Sequence, residues 1–242
     1  MDLIELKNSI LSKFTGSQEQ ISEIIRVVDE DQAIFPFNEY EHMLALMMDG
    51  GGITFEQYLE IRSDYISKNP NLWIFEISAP RGFGEKFAQT YVHGKCPKLQ
   101  VPSKKLHAQY AGDYDFWLDG IRIEVKASRA VDSESDEPLY MKALSRHSHR
   151  PFLMNFQQLK PQCCEVFIWV AVFRDEIVLW VMASSEVRDN PAYSKGQHRG
   201  NSGNEGQLHI KQDNVSMLQS FELKDGDLEA AIRAAAKRCT NG

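Results

Sequence analysis

The spacing of apolar and polar positions changes character along the chain. Up to about residue 70 the apolar residues recur every three to four positions, in DLIELKNSILSKF, ISEIIRVV and FEQYLEIRSDYI, which predicts helices. Thr54 stands where the N-cap of the third helix belongs, and Asp49-Gly50-Gly51-Gly52 interrupts the pattern ahead of it. After Pro80, RGFG leads into another helical stretch, EKFAQTYV, and residues 94–112 are irregular and punctuated by Gly and Pro. Strand-like alternation then takes over. YDFWL and IRIEVKA are separated by Asp119-Gly120, a dipeptide suited to the two-residue type I′ turn. Further on, the pattern predicts a helix over PFLMNFQQLK, strands over CCEVFIWVAVF and EIVLWVMAS, a polar glycine-rich stretch from Tyr193 to Gly206, a strand GQLHI and a C-terminal helix DLEAAIRAAAKR. Strands interleaved with helices predict an α/β fold, a mixed β-sheet core flanked by helices, with residues 1–75 as an N-terminal helical segment packed on a core of residues 76–242.

The turn also sets a register. With Asp119 and Gly120 as the loop, Leu118 pairs with Ile121, Trp117 with Arg122, Phe116 with Ile123, Asp115 with Glu124, Tyr114 with Val125, and Asp113 with Lys126. One face then collects Tyr114, Phe116, Leu118, Ile121, Ile123 and Val125, and the other Asp113, Asp115, Trp117, Arg122, Glu124 and Lys126. Two carboxylates facing each other repel, by about a few tenths to 1 kcal/mol, unless a cation neutralises them. Asp115 and Glu124 are therefore candidate ligands of magnesium, which takes one or two carboxylates and fills its shell with water and substrate phosphate. Lys126 is a candidate to orient an attacking water and to stabilise charge on the phosphate. Asp113 stands as the alternative to Asp115. A solvated face of an amphipathic hairpin alternates in the same way. The two strongly apolar strands that follow, however, place IRIEVKA inside a sheet, where an exposed acidic pair is less expected.

Composition narrows the picture. The chain has 242 residues, 43% of them hydrophobic, enough for one globular domain. It contains no run of about 18 apolar residues, and MDLIELKNSI lacks the features of a signal peptide, so a cytoplasmic protein with no membrane partner is expected. Cys96, Cys163, Cys164 and Cys239 have neither disulfide-framework nor zinc spacing. The net charge of -7 argues against indiscriminate coating of nucleic acid. That acidity sits in the first 70 residues, which carry -8, while the rest carries +1. From Arg81 to Lys105 there are six basic residues and one acid, and Lys104 and Lys105 are candidate phosphate contacts.

Asp115 followed by Glu124-Val125-Lys126 resembles the D…(D/E)XK signature of the PD-(D/E)XK nucleases, the superfamily that includes most type II restriction endonucleases. The likeness covers roughly residues 80–185, and Tyr114 stands where the family's name has proline. It implies a restriction-endonuclease-like core and sequence-specific hydrolysis of double-stranded DNA. The implied cofactor is Mg2+, as one or two ions, with Mn2+ able to substitute; the products carry 5′-phosphate and 3′-hydroxyl ends. It implies a prokaryotic protein, and a palindromic site would favour a homodimer. Such nucleases often place an acidic residue on the preceding helix, and Glu85 is the candidate here. Lys195, Gln197, His198, Arg199 and Asn201 in the glycine-rich stretch are candidates for reading base edges. The other readings are a repair or recombination nuclease of the same fold, and a DNA-binding module without catalysis.

Overall fold

The computed structural model describes residues 39–240 apart from Arg81, 197–204 and Asp225, together with Ser9, Ser12, Lys13, 15–20 and Ser22. The first two expected helices therefore lie largely outside the described residues. Lys13, which is described, docks on the third by an ion pair to Glu60 at 3.0 Å.

Helices α1 (Glu39–Asp49), α2 (Phe55–Lys68) and α3 (Leu72–Phe75) are followed by a π-helix, Gly82–Gln89, that runs into α4 (Thr90–Lys95). Thr54 caps α2 as expected: the Gln57 N–H donates to its hydroxyl, and the Thr54 N–H donates to the Gln57 side chain at 2.8 Å. The strands are β1 (Phe116–Leu118), β2 (Ile121–Arg129), β3 (Val131–Asp132), β4 (Phe152–Leu159), β5 (Val166–Val172), β6 (Ile177–Ala183), β7 (Tyr193–Lys195) and β8 (Gly206–Lys211). A short helix α5 (Ser184–Arg188), a 3-10 helix Val215–Phe221 and helix α6 (Leu228–Thr240) complete the order.

The α/β class holds, but the strands form two sheets where one was expected. The first has the order β1-β2-β5-β6, with β2 and β5 parallel and the outer pairs antiparallel. The second, β3-β4-β8-β7, is antiparallel throughout. Helices cover one face of the first sheet: Met43, Ile61, Phe75, Val92 and Ile232 pack with Ile123, Val125, Ile168 and Val181. The second sheet covers the other face, where Phe167, Trp169 and Trp180 meet Met154, Phe156, Leu208 and Ile210. Strand β5 is buried on both sides, which explains its unbroken apolar run. Among the described residues, no helix is long and apolar enough to cross a membrane.

The expected crossover helix over PFLMNFQQLK is strand β4. Phe152, Phe156 and Leu159 have helical spacing, yet Phe152, Met154 and Phe156 also alternate, and pairing with β8 decides for the strand. A register shift between Phe156 and Leu159, with Gln158 at φ 56°, lets Leu159 stay buried while Gln157 and Gln158 are exposed.

Candidate active site

The hairpin turns as its dipeptide requires. Asp119 and Gly120 both have positive φ, 47° and 96°, and the pairs Leu118–Ile121, Trp117–Arg122 and Phe116–Ile123 form as expected. There the ladder stops. The Asp115 N–H donates to the Ile123 carbonyl at 2.9 Å, a slip relative to the extrapolated register. This slip carries Tyr114 away from the helix-side core and buries it in the second core, beside Trp117. Tyr114 thus lies on the face opposite to the one expected.

Because β1 begins only at Phe116, the edge of β2 beyond Ile123 has, among the described residues, no strand against it on that side. The Asp115 carboxylate takes the vacated role, its Oδ2 accepting from the Val125 N–H at 2.8 Å. Its Oδ1 accepts from the Gln89 side chain at 2.7 Å, so the π-helix holds the aspartate from the other side. Glu124 and Lys126 alternate with Val125 and share the face of their partners on β5, Phe167 and Trp169, toward the second sheet. They form an ion pair at 2.7 Å, with side chains only 15% and 19% exposed.

Burial raises the pKa of Asp115, against the pull of the Val125 N–H and Lys126. Burial likewise pushes Glu124 up to about 7, with Asp115 adding to the rise and Lys126 opposing it. The neighbouring Asp115 carboxylate adds to the rise at Glu124, so the two carboxyls disfavour each other's ionisation. Two half-buried carboxyls competing for one lysine form a donor set that a hard divalent cation would neutralise. Among the described residues no group of three or more His, Cys, Asp and Glu side chains could hold a metal, so such an ion would complete its shell with water or substrate oxygen.

Of the residues singled out from sequence, Asp115, Glu124 and Lys126 come together. Glu85 is exposed in the first turn of the π-helix, and its charge raises the Asp115 pKa. Asp113 acts instead on Arg122, Cys163 and the tyrosines, and its Oδ1 is buried without a hydrogen-bond partner, so Asp115 is the carboxylate that meets Glu124. Lys104 and Lys105 are exposed in the turn that leads to His107, whose ring stacks on Trp117. Lys195 is exposed at the end of β7, and Gln197, His198, Arg199 and Asn201 lie outside the described residues.

Two contributors were not singled out from sequence. Gln89 follows Glu85 by four residues on one helix, a spacing that aims both at the same place and could have exposed it. Lys160 acts electrostatically on Glu124 and pairs with Glu205 at 3.1 Å. No local signal marks it, since the contact joins the end of β4 to the start of β8. Beside it, the Tyr193 ring lies over Gly206, where any Cβ would come within 2.3 Å of that ring.

No protein-family model matches the chain, and no curated protein does. Among solved structures, a search returns a crystal structure of an FAD-dependent dehydrogenase, 12% identical, with a TM-score of 0.23 over 92% of this chain and 61% of the other. At that score the likeness carries no argument, and the chain spans less than two thirds of that dehydrogenase.

Proposed function

We propose that the protein is a magnesium-dependent endonuclease that hydrolyses phosphodiester bonds of double-stranded DNA, in the manner of a type II restriction enzyme. The observation that carries this reading is the buried Asp115–Glu124 pair, both carboxyls raised by burial, with Lys126 at 2.7 Å from Glu124. Asp115 and Glu124 would hold the cation, which when bound polarises a phosphate and acidifies its water. Gln89 and the Val125 N–H fix the Asp115 carboxylate, so its oxygens are oriented before a ligand arrives. Lys126 would donate to a phosphate oxygen or to the attacking water. Strands β7 and β8 frame the basic glycine-rich stretch proposed to read bases, and a homodimer would present two such sites to the two strands of a palindrome.

The test is incubation of the purified protein with plasmid and phage DNA in magnesium, then with EDTA. Discrete, reproducible fragments that disappear with EDTA are expected. Absence of cleavage with magnesium and with manganese overturns the catalytic reading, while a smear or cutting confined to branched DNA overturns sequence specificity.

A further inference from the structure

Arg129 ends β2, at the carboxyl end of its parallel pairing with β5. It alternates with Ile123, Val125 and Ala127, so its side chain lies on the helix-covered face of the sheet, opposite to Glu124 and Lys126. The guanidinium sits 3.9 Å from the ring of Phe83, in the first turn of the π-helix, and its Nη2 donates to the Ile77 carbonyl at 2.5 Å. Nε is buried with no acceptor, whereas Nη1 makes no hydrogen bond among the described residues and is left open to solvent.

Folding thus strips water from a cation and offers it a ring and one neutral carbonyl, but no anion. Burial pulls the Arg129 pKa down to about 10, and no carboxylate opposes the fall. The acids around this end of the sheet act elsewhere. Asp132 pairs with Arg150 at 3.2 Å, while Arg146 takes Glu176 at 3.0 Å and, through its backbone N–H, Asp175 at 2.9 Å. Glu76 precedes Ile77, but burial alone lifts it to about 7, so no cation holds it down, and Glu85 acts on Asp115. Arg174, two residues beyond the Val172 that pairs with Arg129, is a second buried arginine whose Nε has no acceptor and which meets no carboxylate among the described residues. Lys86, exposed three residues after Phe83, is also unpaired among them.

The geometry points to a phosphate-binding site formed by the Arg129 guanidinium, the first turn of the π-helix and Lys86. A planar fork with one edge open suits an oxyanion. A Cβ on Gly84 would meet nothing within 4 Å, so such a ligand can approach the main chain of that turn, whose N–H groups carry partial positive charge. The phosphate can be free or belong to a nucleic-acid strand. Because the same helix sets Gln89 against Asp115 at its other end, a strand seated here would run toward the proposed cleavage site; that role rests on the nuclease reading, and phosphate binding itself does not.

Fluorescence anisotropy with a labelled duplex of arbitrary sequence, in EDTA and across a salt series, tests the strand phosphate in Arg129→Met. Binding weaker by about tenfold is expected, with the slope of log affinity against log salt reduced by about one. Melting curves with and without inorganic phosphate test the free anion: if phosphate raises the melting temperature of the wild type but not of Arg129→Met, and duplex affinity is unchanged, the ligand is free phosphate. In the absence of ligand Arg129→Met should melt no lower than the wild type, since it removes a desolvated charge that folding leaves without a counter-ion. Duplex binding weakened at an unchanged salt slope, or neither a change in duplex binding nor a phosphate effect that depends on Arg129, overturns the assignment. A lower melting temperature with the slope unchanged marks the arginine as structural and overturns it too. With the metal chelated no cleavage enters these measurements, so their failure leaves the nuclease reading standing, and a protein that cuts nothing still tests the site.

Discussion

Two ionic groups sit two residues apart on β2, and they are built to opposite ends. Arg122 meets Glu165 through two guanidinium nitrogens, and the Arg122 backbone N–H donates to the same carboxylate at 2.7 Å. One cation faces one anion there, with the anion's oxygens fully occupied. At Glu124 one ammonium faces two carboxyls, and burial lifts the pKa of both. The first group closes a contact between β2 and the start of β5. The second leaves an electrostatic demand that folding does not meet, and unmet demand of this kind concentrates at functional sites.

The largest effect that would break this contrast is on cleavage. Lys126→Ala and Glu124→Ala should each reduce it by at least about a hundredfold while gel-shift binding of DNA survives. Full activity in either variant moves the site elsewhere. Arg122→Ala should do the reverse, keeping cleavage of the folded fraction but destabilising the protein by about 1–3 kcal/mol in denaturant titrations, since Glu165 would lose its partner. If Arg122→Ala cost nothing, the balanced group would not be structural.

A finer test is Gln89→Leu, which frees one Asp115 oxygen. It should raise the magnesium concentration for half-maximal cleavage by about tenfold, with little change in melting temperature. An unchanged metal requirement would remove Gln89 from the site.

The smallest effect is on stability against pH. Glu124 has an ordinary value near 4.5 and stands at about 7 in the fold, so the native state holds a proton that the unfolded chain has released in that interval. The stability this proton contributes is fully present below about 4.5 and is lost as pH rises through 7. Glu76, lifted to about 7 by burial, has the same sign. Melting temperature without metal should therefore fall from pH 5 to 8, and Glu124→Gln and Glu76→Gln should each flatten the fall. Magnesium should offset the loss through Glu124 alone, so its rescue in Glu76→Gln but not in Glu124→Gln separates the two. Equal rescue in both variants would place the cation elsewhere.

Much of the candidate site was legible because the hairpin is local. Asp119-Gly120 dictates its own turn, and the next three pairs follow within a few residues of it. The extrapolation lost accuracy where the ladder ended. Pairing beyond Phe116 depends on whether another partner competes for Val125, and the Asp115 side chain does. Gln89 was half-visible through its helical spacing to Glu85, whereas Lys160 depends on a contact across sequence-distant strands.

By itself the sequence determined what its short-range chemistry specifies: the capped α2, the turn and first rungs of the hairpin, the doubly apolar β5, the strand over GQLHI and the C-terminal helix. Only the tertiary structure decided that residues 152–159 are a strand, that the strands divide between two sheets, and that Tyr114 turns toward the second core. The physical reason is common to all three. Short apolar runs satisfy helical and extended spacing alike, and the choice falls to whichever distant partner completes their backbone hydrogen bonds and covers their apolar face.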